Sequence, residues 1–217
     1  MSKTKSIFIC QNCGVQSPKW QGKCPSCNAW NTFVEELVRK DDKKGPGKRS
    51  TGPASLRGKP ELLKDIQKKN FKRLSTTDPE FDRVLGGGIV PGSVILIGGD
   101  PGIGKSTLML QITLGLADKS ILYVSGEESG SQIRMRAERM GNIPENCFIL
   151  SETDTEEIFA GIESTKPDVV IVDSIQTLSS PDFDAPAGSV TQIRQSTNEL
   201  MKYAKENNVP VFLIGHI

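Results

Sequence analysis

The chain has 217 residues, 36% of them hydrophobic and 6% aromatic, which gives room for one α/β domain and something small beside it. No stretch approaches the roughly 18 consecutive apolar residues of a membrane span, and Met1-Ser2-Lys3 leads into no apolar signal segment, so the expected location is cytoplasmic, away from membranes, with thiols reduced. The net charge of +1 hides an asymmetry: residues 1–38 carry four Lys and two Glu (+2), residues 39–73 thirteen Lys/Arg and four Asp/Glu (+9), and residues 74–217 ten Lys/Arg and twenty Asp/Glu (−10). A basic segment on an acidic body suggests a polyanionic partner, although a solvated Lys-rich linker has the same composition.

Residues 1–38 form a cysteine module. Cys10 and Cys13, then Cys24 and Cys27, make two Cys-x-x-Cys pairs separated by ten residues. Reduced thiols at this spacing suit tetrahedral Zn²⁺, with a redox pair as the alternative. Gly14 and Asn28 follow the two pairs, and both residue types accept the positive φ that a tight metal knuckle needs. A unit this short has little core of its own, so the metal is expected to replace one. Trp20 and Trp30 bracket the second pair; the favoured reading is that they cover the zinc site, the other that they stack on nucleic-acid bases.

Residues 39–60 are rich in Lys, Gly, Pro and Ser and lack apolar periodicity, which predicts a linker. Residues 61–217 then alternate apolar runs with helical patterns. Strands are predicted at 93–99, 120–128, 147–152, 168–173 and 209–215, and helices at 105–117 and 131–141, the latter stopping at Gly141 in an αL turn. Thr153 and Glu156 have capping-box spacing ahead of a further helix, and Val190, Ile193, Leu200, Met201 and Ala204 mark the apolar face of a long one. This alternation predicts a mostly parallel sheet with flanking helices. Cys147, in the third strand, reads as an inert core thiol.

Between the first strand and first helix, "GDPGIGKST" at 99–107 satisfies G-x-x-x-x-G-K-[ST]. The nucleotide-binding residues expected here are Gly98, Gly99, Asp100, Pro101, Gly102, Ile103, Gly104, Lys105, Ser106 and Thr107. Glycines let backbone N–H groups converge on phosphate oxygens, and the helix adds the positive end of its dipole. Lys105 is expected on the β- and γ-phosphates and Ser106 on Mg²⁺. Asp173 closes the strand "VVIVD" and is the expected second Mg²⁺ residue; otherwise it caps the next turn. Glu127 and Glu128 follow the second strand, and Glu127 is the preferred residue to orient an attacking water. His216, the only histidine, lies just past the last strand and either senses the terminal phosphate or DNA, or simply closes the strand. The catalytic set is therefore Lys105, Glu127 and Asp173.

Three blocks together carry a family resemblance: the cysteine block at 10–36, "FDRVLGGGIVPGSVILIGGDPGIGKSTLMLQ" at 81–111, and "YVSGEES" with "VVIVDSIQT". They resemble the bacterial RadA/Sms DNA-repair ATPases of the RecA superfamily. The resemblance implies a RecA-like P-loop ATPase core behind a four-cysteine zinc module, ATP and ADP as nucleotides with Mg²⁺, and hydrolysis stimulated by DNA. It also implies single-stranded and branched DNA as partners, a hexameric ring, a recombinase or helicase partner, and branch migration of recombination intermediates. RecA-like proteins place DNA-contacting loops where residues 174–195 fall, which makes Arg194 and Gln195 candidate contacts. The family usually has Gly at the position of Asn28, and it continues past "LIGHI" with the rest of its core, a Lys-Asn-Arg-Phe-Gly motif and a Lon-protease-like domain. The expectation is thus of a truncated chain with weak turnover, because ring neighbours complete each other's sites with basic residues. A rival reading is a nucleotide-gated interaction switch like the KaiC branch of the superfamily, with slow hydrolysis.

Overall fold

The structure, a computed structural model, describes residues 4–39, 62–66 and 72–216. The linker expected at 39–60 lies outside the described residues, apart from Arg39.

The larger sheet has five parallel strands: β4 (Val94–Gly99), β5 (Ile121–Ser125), β6 (Cys147–Leu150), β7 (Val169–Asp173) and β9 (Val211–His216), in the order β4-β9-β7-β5-β6. Every residue of β5 and β7 is buried, which explains why both read as unbroken apolar runs: a parallel strand covered on two faces has no polar side. Alternate residues divide between the faces. Ile121, Tyr123, Val169, Ile171, Phe212 and Ile214 pack with α2 (Lys105–Gly115) and α3 (Gly130–Met140). Leu122, Val124, Val170, Val172, Val211 and Leu213 pack with α4 (Thr155–Thr165) and α5 (Val190–Asn207). Truncating one of these side chains, as in Ile171→Ala, removes about 2–5 kcal/mol of packing.

The five core strands and four of the helices match the predicted alternation, with differences at the ends. The second strand stops at Ser125 rather than continuing to Glu128, because the Ser125 hydroxyl accepts the Glu128 amide at 3.0 Å and turns the chain. Asp154, not Thr153, caps α4, accepting the Glu156 amide at 2.8 Å. The capping box sits instead at Ser129 and Gln132, at the start of α3. Gly141 ends α3 at φ +148° and ψ −156°, a glycine conformation other than αL. Cys147 is only half-buried because β6 is the edge strand; burial still pushes its thiol pKa up.

A short helix, α1 (Pro79–Val84), precedes β4. Its Asp82 carboxylate accepts from the Ser75 hydroxyl at 2.7 Å and from the Thr76 amide and hydroxyl at 3.0 and 2.8 Å. Desolvation opposes the charge, but these three donors outweigh it and hold the carboxyl below the usual range. A depressed folded-state pKa gives stability above the unfolded value that is lost as pH falls through the folded one. Asp82→Asn should therefore lower the thermal midpoint at neutral pH, and the gap from the parent should close as pH falls below the usual carboxylate range and the parent carboxyl also protonates. Thermal melts across pH check this.

The second sheet is antiparallel, ordered β2-β1-β3-β8, with β1 (Thr4–Cys10), β2 (Gln16–Ser17) and β3 (Phe33–Arg39) from the cysteine module. Its fourth strand, β8 (Phe183–Asp184), belongs to the connection between β7 and α5. Arg194 on α5 donates to the Gly14 carbonyl at 3.0 Å, so the module is also held to a core helix. Among the described residues, no helix is long and apolar enough to cross a membrane.

Candidate nucleotide site and metal centre

The four inner elements of the site end side by side. In a parallel sheet all carboxyl ends face one way, and here register places Gly99 of β4 opposite His216 of β9, and Ser125 of β5 opposite Asp173 of β7. One strand, β9, stands between the strand feeding the phosphate loop and the strand ending in Asp173.

The loop turns through Gly99 at φ +156°, Gly102 at +81° and Gly104 at +96°, and Gly104 is the N-cap of α2. No side chain caps that helix start. A Cβ built on Gly102 or Gly104 would meet nothing within 4 Å, so the loop frames open space at the positive end of the α2 dipole. Lys105 begins α2 and is buried, and its Nζ donates to the carbonyls of Gly99 and Asp100, both at 2.8 Å. These acceptors hold the ammonium across the loop, 3.2 Å from Nδ1 of His216.

The acidic side is built from β5 and β7. Asp173 is buried, and its Oδ2 accepts the Tyr123 hydroxyl at 2.7 Å. Burial and the neighbouring Asp173 carboxylate push the Tyr123 pKa far up, so the phenol remains a donor. No described residue donates to Oδ1. Glu127 is half-exposed; its Oε1 accepts from Ser174 Oγ at 2.8 Å and lies 3.5 Å from His216 Nε2. His216 therefore bridges Lys105 and Glu127, while its carbonyl accepts from Gln176 at 2.9 Å. Glu128 points elsewhere, paired with Arg136 at 2.7 Å.

Lys105, His216 and Glu127 thus form one chain of side chains, and Asp173 ends the strand next to that of His216. Sequence reasoning missed Tyr123, Ser174 and Gln176. The last two lie in the segment "VVIVDSIQT", but their partners depend on strand order, which spacing does not encode. Arg194 is exposed and donates one hydrogen bond to the Gly14 carbonyl; Gln195 pairs with Glu199 at 2.5 Å.

The four module cysteines are free thiols, and their sulfurs all lie within 4.8 Å of one another. Cys10 and Cys27 are 3.7 Å apart and Cys13 and Cys24 3.5 Å. An ion about 2.3 Å from four tetrahedral sulfurs spaces them about 3.8 Å apart, so the cluster fits zinc. Each knuckle has the same form. Gly14 (φ +71°) donates its amide to Cys10 at 2.7 Å, and Asn28 (φ +60°) donates to Cys24 at 2.9 Å. Burial opposes ionisation of Cys10, but the Thr32 hydroxyl at 3.1 Å and the amides of Asn12 and Cys13 bring its pKa down to about 6. The apolar cover comes from Phe33, Phe8 and Val15. Trp20 and Trp30 do not supply it, contrary to the favoured reading: they are 55% and 69% exposed.

These features define an α/β phosphate-loop protein with an N-terminal four-cysteine zinc-binding module. A family model described as "AAA domain" matches residues 59–217, and the chain belongs to that family. A second model, "Rubredoxin metal binding domain", matches residues 8–35. The chain is similar throughout to proteins named DNA repair protein RadA: 51% identical over 218 residues to that of Streptococcus pyogenes serotype M1, covering 100% of this chain and 47% of the relative. The Bacillus subtilis protein of the same name is 49% identical over 222 residues, with 100% and 48% covered. That of Listeria monocytogenes is 45% identical over 221 residues, with 100% and 47% covered. The chain spans about half the length of the curated relatives it matches.

Proposed function

We propose that the chain acts in DNA repair as a DNA-dependent ATPase. One observation carries the reading: Lys105, Glu127, Asp173 and His216 meet at the carboxyl ends of four parallel strands, beside a glycine loop with open space over a helix start. Residues 98–107 would cradle the phosphates of ATP or ADP through backbone N–H groups, with Lys105 balancing their charge. Ser106 and Asp173 would hold Mg²⁺, since Asp173 offers a buried carboxylate fixed by Tyr123. When bound, the ion withdraws charge from phosphate oxygens.

Glu127 is the proposed base. Its carboxylate orients water for attack on the terminal phosphorus and takes the proton as ADP leaves. Ser174 and His216 fix the Glu127 oxygen that would do this, and the His216 bridge ties it to Lys105. The relatives' name is what directs the reading to DNA repair. Finer parts of it are hexameric assembly in the cytoplasm, single-stranded and branched DNA as substrates, a recombinase or helicase partner, and branch migration driven by hydrolysis.

The test measures ATP turnover without DNA and with single-stranded, duplex and branched DNA. Stimulation by one of these supports the motor. A rate indifferent to all three would favour the nucleotide-gated switch instead.

A further inference from the structure

Two exposed indoles on the zinc module stand outside its buried cluster. Trp20 and Trp30 are 55% and 69% exposed, and both reach toward Gly22: a Cβ placed there would lie 3.6 Å from the Trp20 ring and 4.0 Å from the Trp30 ring. The hairpin that presents Trp30 is fixed. Asn31 donates to Gly22 at 2.8 Å, Cys24 to Ala29 at 2.9 Å, and Lys23 bridges Trp30 across the strands. Because Cys24 and Cys27 anchor it to the metal cluster, the rings are held at low conformational cost. Lys23 places its ammonium 5.7 Å from the Trp30 ring centre.

We propose that Trp20 and Trp30 form a stacking platform for unpaired bases of single-stranded nucleic acid. Charge favours this occupant over a protein surface. No Asp or Glu occurs from Ile7 to Val34, and the exposed residues next to the rings in the chain include Lys19, Gln21 and Asn31, with Lys23 paired across from Trp30. The sequence that follows, residues 39–73, carries the +9 excess that phosphates would neutralise. A flat indole face accepts any base, and a lysine beside it meets the backbone. The inference rests on the nucleic-acid part of the proposed function and adds where the bases sit.

The chain has only two tryptophans, so its indole emission reports this platform alone. Zinc-loaded chain would be titrated with fluorescently labelled oligothymidine, oligouridine and an abasic strand of equal length, following both label anisotropy and tryptophan emission. Both base-bearing strands should quench emission and bind more tightly than the abasic strand. Trp20→Ala and Trp30→Ala should each weaken oligothymidine about tenfold, and Trp→Phe at either site should restore most of it. Zinc content verifies that the variants fold. If oligothymidine binds with unchanged emission, or binds the double Ala variant at full affinity, the platform is wrong while DNA binding stands. Absence of any binding overturns both. Quenching by thymidine but not uridine would overturn the general single-strand assignment, as it would demand a site selective for one sugar or base.

Discussion

Lys105→Ala should lose nucleotide binding and turnover together. Among the described residues, the ammonium is the only positive group bonded inside the loop, where the Gly99 and Asp100 carbonyls hold it. If Lys105 faces the phosphates as proposed, removing its charge should cost at least about a hundredfold in rate. Calorimetry with magnesium-ATP should register no binding heat for the variant and clear heat for the parent. Glu127→Gln is the informative contrast. It keeps the shape and one hydrogen-bonding oxygen for Ser174 but cannot take a proton, so nucleotide should still bind while turnover falls about a hundredfold or more. A Glu127→Gln protein that hydrolysed ATP at the parent rate would remove this residue from the mechanism.

Zinc removal should unfold the N-terminal module and leave the larger sheet intact. The described cluster around the thiols consists of Cys10, Cys24 and Phe33, with Phe8, Val15 and the other two cysteines against it, and Ile9 is the module's other buried apolar residue among those described. Such a core cannot offset the ordering entropy of more than thirty residues, whereas structural zinc supplies about 10–16 kcal/mol of apparent binding energy. The larger sheet rests on two separate apolar clusters and needs no metal. Hydrogen exchange after chelation, or in Cys24→Ser, should show amides of β1 and β3 losing protection while those of β5 and β7 keep theirs. Equal protection with and without metal would contradict the idea that zinc stands in for a core.

Which features were legible in the sequence follows from how local their causes are. The phosphate loop and the Cys-x-x-Cys knuckles are set by residues within a few positions of one another, so spacing was enough to find them. The strands were legible because coverage on both faces makes 169–172 apolar throughout. Cap positions were less so. Thr153 and Glu156 have the right separation, but Thr153 donates its amide to Glu152 while Asp154 takes up the extended conformation of a cap. The side chains around Asp173 and Glu127 escaped notice because Tyr123 and Ser174 acquire meaning only when β5 and β7 lie side by side. The exposure of Trp20 and Trp30 was equally hidden, since the fold of the metal knuckle, not hydrophobicity, decides which way the hairpin faces. β8 left no signal at all: two residues pair with a strand far earlier in the chain.

That last pairing ties the two ends of the molecule together. The connection after β7 begins at Ser174, which grips Glu127, and ten positions later Asp184 lies in backbone register with Leu37 of the zinc-bearing sheet. Gln192 braces the segment between, bonding the Ser180 amide at 2.8 Å and the Ala185 carbonyl at 3.0 Å. The proposed base and the sheet that carries the four cysteines therefore share one stretch of backbone, held to Glu127 at its start and to Leu37 at its far end.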